Sequence, residues 1–63
     1  MSTIKEMMLN AAELDNALWR GILIGEDNQL IAARLVDATN AKRAMQAEAE
    51  RICAEMVAPG KVQ

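Results

Sequence analysis

Ile4, Met7, Ala11, Leu14 and Leu18 recur at alternating intervals of three and four residues, with Met8 beside them, and this spacing limits most what the chain can fold into. It places one apolar stripe along one side of an α-helix. After an interruption at about residues 23–27 the spacing resumes through Ile31, Leu35, Ala38, Met45, Ala49, Ile52 and Met56, about seven further turns. Two stripes and one interruption predict an all-α protein: an antiparallel two-helix hairpin.

Local signals mark the ends. Thr3 followed by Glu6 is a capping-box pattern, in which each side chain satisfies an amide donor that the first turn leaves free. Gly21 offers a C-cap, although the helix could continue through Ile22 and Leu23 to Gly25. Asp27 and Asn28 are both good N-caps for a second helix, and Pro59-Gly60 stops it. The expected elements are a helix over 3–22, a turn over 23–27, a helix over 28–57 and a loose tail over 58–63, all in one domain.

The segment Gly21 to Leu30 allows a competing reading, because Ile22, Leu23 and Ile24 favour a strand locally. A strand over 29–36 would put Gln29, Ile31, Ala33 and Leu35 on one face and Leu30, Ala32, Arg34 and Val36 on the other. Neither face is cleanly apolar. A helix keeps Ile31 and Leu35 in register with the apolar positions down to Met56, so the break between helices is preferred.

At 63 residues the chain is small for self-sufficiency. Below roughly 70 to 80 residues a single apolar core rarely supplies more than ~3 to 5 kcal/mol. Cys53 is the lone cysteine and there is no His, so neither an internal disulfide nor a structural zinc is expected to help, and no cofactor is implied. Support is expected from a second chain. If facing residue numbers sum to about 50, helix 1 ends first and leaves Ile52, Cys53 and Met56 overhanging. A homodimer through the long second helix, with Ile31, Leu35, Met45, Ile52 and Met56 as its self-association residues, follows as the expectation. The outer Ala32, Ala33, Val36, Ala44, Ala47 and Ala54 either stabilise an exposed helix or form a second packing face.

One charge interrupts each stripe: Asp15 on the first helix, Lys42 on the second. A lone polar residue in a seam can fix register and oligomeric state. With sums near 50, Asp15 faces residue 35, about 10 Å along the axis from Lys42, so these two are not expected to pair within one chain. They either pair across a dimer or reach water at the boundary.

The formal charge of −2 gives no global attraction to nucleic acid or an anionic membrane. Apolar runs as short as Ile22 to Ile24 cannot span a bilayer, and the amino terminus lacks a secretory pattern. A cytoplasmic location is expected, which a free thiol suits.

Catalysis is the function class the composition most weakens. No imidazole base exists, and Ser2, Thr3, Thr39 and Cys53 have no evident activating partner. Cys53 is expected to be a small buried hydrophobe. The Glu-x-x-His pattern of di-iron bundles and the glycine-rich phosphate loop are both missing. A helical-hairpin dimer can also present a face to RNA or DNA. Here, however, Arg34, Lys42, Arg43 and Arg51 point in different directions among Asp37, Glu48, Glu50 and Glu55, with no continuous basic stripe. Arg51 and Glu55 have the spacing of an ordinary helix-surface pair.

Binding to another protein is what remains. Trp19 and Arg20 are residue types enriched in interface hot spots, although Trp19 could instead fill the core above the turn. Met7, Met8, Met45 and Met56 could form an adaptable apolar seam. A short chain without a catalytic set fits a stoichiometric inhibitor or adaptor, of the kind a phage or mobile element directs at a host factor.

Overall fold

The computed structural model describes residues 3–57 as two helices, α1 (Ile4–Ile24) and α2 (Asn28–Val57), with no strand among them. The tail expected over 58–63, including the Pro59-Gly60 stop, lies outside the described residues. Thr3 caps α1: its hydroxyl accepts from the Glu6 amide at 3.1 Å, and the Glu6 carboxylate accepts from the Thr3 amide at 3.0 Å. That is the expected capping box.

The first helix runs two residues past the expected end, so Ile22, Leu23 and Ile24 are helical and the turn is shorter than 23–27. Gly25 stops it, with φ 82° and ψ 32° in the left-handed region that glycine adopts without a Cβ penalty. Its amide donates to the Ile22 carbonyl at 3.2 Å, while the Glu26 amide donates to the Gly21 carbonyl at 3.0 Å. This paired closure is a Schellman motif. Asp27 then caps α2, its carboxylate accepting from the Leu30 amide at 3.0 Å and its carbonyl from the Ile31 amide at 3.1 Å. The local strand preference of Ile22 to Ile24 loses because caps on both sides satisfy the backbone of two helices across three connecting residues.

Between the helices, α1 contributes Ile4, Met7, Ala11, Leu14, Leu18 and Gly21, all buried or half-buried, as its spacing predicts. The seam of α2 differs from expectation: it runs Ile31, Arg34, Ala38, Ala41, Met45, Glu48 and Ile52. Leu35 is 52% exposed, and Arg34 holds the place assigned to it. A one-residue shift turns a helix by about 100°, which moves a side chain from seam to flank. The connection is centred on Glu26, so facing numbers sum to about 52 rather than 50. This sets Leu14 level with Ala38, Ala11 with Ala41, and Met7 with Met45.

The core is thin. Only Ala11, Leu18 and Ala38 are buried apolar side chains among the described residues, and no large side chain is fully enclosed. At 1.5 Å per residue α2 outlasts α1 by about nine residues, or roughly 13 Å, and Met56 on this overhang is 77% exposed. Cys53 is also exposed rather than buried, because it lies about 100° round the helix from Ile52. No helix among the described residues is long and apolar enough to cross a membrane.

Candidate interaction surfaces

Three ion-pair groups organise the polar surface. At the closed end, Arg34 donates from Nε to Glu26 Oε1 at 2.7 Å and from Nη2 to Glu26 Oε2 at 2.9 Å, a two-pronged geometry that fixes both side chains. The fork passes over Gly21, where a Cβ would collide with Glu26 Oε1 and stand 3.1 Å from Glu26 Cδ and 3.2 Å from Arg34 Nε. Gly21 thus serves the pair by leaving room. Hydrogen bonding to Arg34 holds the Glu26 carboxyl below its ordinary value of 4.5, and the same bond raises Arg34.

Midway along the hairpin, Lys42 Nζ donates to Asp15 Oδ1 at 3.0 Å. This corrects the expectation that the two would not meet within one chain. The register shift shortens their offset to about five residues, roughly 7.5 Å. Side chains on a helix lean toward its N-terminus, and in an antiparallel pair these leans converge. Further along α2, Arg51 donates from Nε to Glu48 Oε1 at 3.0 Å and from Nη1 to Glu55, the latter pair as expected. Hydrogen bonding to Arg51 lowers the Glu48 pKa, and Arg51 is raised in turn.

These pairings bear on nucleic acid. Arg34, Lys42 and Arg51 are each already held by carboxylates of the same chain, so a phosphate would have to displace an intramolecular partner at each.

The apolar surface is extensive. Trp19 does not fill the end of the core: it is 57% exposed, and Leu23, one turn further, is 83% exposed. Together with Leu9, Ala12 and Asn16 they form a second run at intervals of three and four on the side of α1 turned away from α2, all exposed. Arg20 is exposed next to it. Leu9 and Leu23 were not recognisable as part of a site from composition, because α1 is apolar around more than half its circumference. The repeated spacing 9, 12, 16, 19, 23 is the signal that exposes them.

The residues expected to self-associate divide. Ile31, Met45 and Ile52 lie half-buried on the seam of their own chain, where the first two sit level with Gly21 and Met7, whereas Leu35 and Met56 are exposed. The outer alanines of α2, with Val36, are exposed too. Among the described residues there is no cavity and no group of His, Cys, Asp and Glu that could hold a metal ion. What the arrangement offers is surface. No protein-family model, curated protein or solved structure matches this chain.

Proposed function

We propose that this hairpin is a non-catalytic binding module that acts on another protein by occupying it, as a small cytoplasmic inhibitor or adaptor of the sort mobile elements direct at host factors. The observation that carries this reading is the outer stripe of α1. Trp19 and Leu23 stand exposed one turn apart, and Leu9 and Ala12 extend the same line. Anchors at such intervals are how a helix lays one face into an apolar groove, and Trp is the residue type most often found at the centre of such contacts. Arg20 beside the stripe supplies a cation for the rim.

The test is affinity capture with the wild type, Trp19→Ala and Leu23→Asp. Both positions are exposed, so circular dichroism should be unchanged in the variants. A protein captured by the wild type and lost from both variants supports the reading. Capture of RNA or DNA in place of protein, weakening steeply with salt, would overturn it.

A further inference from the structure

We infer that a second copy of this chain packs on the flank marked by Asp15 and Lys42, with the two turns at the same end, to give an antiparallel four-helix bundle. The flank follows from the ion pair. Two helical turns toward the closed end lie Ile22 on α1 and Leu35 on α2; two turns the other way lie Met8 and Ala49, and Met56 continues the line on α2. Ile22, Leu35, Met8 and Met56 are all exposed large apolar side chains. Helix geometry sets this flank about 70° from the seam, near the angle between the two neighbours that each helix meets in a four-helix bundle.

Charge decides the occupant and its orientation. The Asp15–Lys42 pair is the one charged layer among the described residues of a flank whose large side chains are otherwise apolar. A copy related by a twofold axis parallel to the helices lays α1 on the partner's α2, so each Asp15 meets a second lysine and each Lys42 a second aspartate. A twofold axis across the helices would stack like charges instead.

The test uses sedimentation of the full chain at roughly 100 µM, well above the micromolar limit for interfaces of standard size. The wild type and Leu23→Asp should be dimers, and Leu35→Glu a helical monomer. A spin label at Asn28→Cys, in a Cys53→Ser background, reads the orientation, because Asn28 shares the flank two turns before Leu35. Turns at the same end put the two labels within roughly 25 Å, and turns at opposite ends put them about 40 Å apart. A monomeric wild type, a dimer that survives Leu35→Glu, or the longer distance each overturns the proposal. If Leu35→Glu loses its helix content, the label distance in the otherwise wild-type chain still decides. Leu23→Asp keeps this test separate from the outer-stripe reading, which depends on capture of a foreign protein.

Discussion

Lys42 reaches back along α2 and Asp15 leans away from the turn, so that Nζ and Oδ1 meet 3.0 Å apart across a hairpin whose seam passes beside them. The two side chains retain 54% and 33% of their exposure. In the single hairpin, at concentrations below those at which copies associate, water and salt therefore screen the pair, and it contributes ~0.2 to 1 kcal/mol. Lys42→Met, which keeps the stem and removes the charge, should lower the midpoint of thermal unfolding slightly in dilute buffer. The difference should close as salt approaches about 1 M; a gap that persists at high salt would show that the stem, not the charge, matters.

The two glycines near the turn should respond oppositely to alanine. Gly25 sits at φ 82°, where a Cβ is strained, so Gly25→Ala should destabilise by about 1 kcal/mol. Gly21 is helical and meets only the ends of the Glu26 and Arg34 side chains. Gly21→Ala gains helix propensity, roughly 0.5 to 1 kcal/mol, while disturbing the fork, and should come out near neutral. In a Glu26→Ala background the same change should become stabilising, which urea titration of the four variants would read.

Acid should weaken the fold through its arginine-bound carboxylates. Glu26 is held below 4.5 chiefly by its hydrogen bond to Arg34, and Glu48 chiefly by its hydrogen bond to Arg51. A carboxylate lowered in the folded state binds its proton more readily when unfolded. Its stabilising contribution is therefore complete above the ordinary value and lost as pH falls through the folded one. Stability measured from pH 6 down to about 2 should fall, and the fall should be shallower in Glu26→Gln.

Leu18 is the largest of the three buried apolar residues. Leu18→Ala should cost about 2 kcal/mol or more, a large share of what so thin a core can supply. Ala38, 1% exposed and level with Leu14, offers the converse case. Ala38→Leu adds apolar surface yet should destabilise by ~1 to 3 kcal/mol, because the close approach of the helices has no room for it. Denaturant unfolding followed by ellipticity measures both. The wild type should begin at 81% helix or above, since the 21 and 30 residues of the two helices are that share of 63.

The sequence by itself determined the two helices and where each of them starts. Thr3 with Glu6, Gly25 and Asp27 act through hydrogen bonds spanning no more than five residues, and such signals are complete before any tertiary contact forms. The inner stripe of α1 was legible for the same reason: its three-and-four spacing is filled by apolar residues and one glycine. The tertiary structure decided the phase of α2 and everything that depends on it. Reading hydrophobicity alone selects Leu35 over Arg34, but the seam takes Arg34, because its stem can lie over Gly21 while its guanidinium reaches Glu26 beyond the edge of the core. That choice rotated Leu35 onto the flank, and the register set by the three-residue connection brought Lys42 to Asp15. Both outcomes rest on which atoms lie opposite across the hairpin, and no run of residues along one chain carries that information.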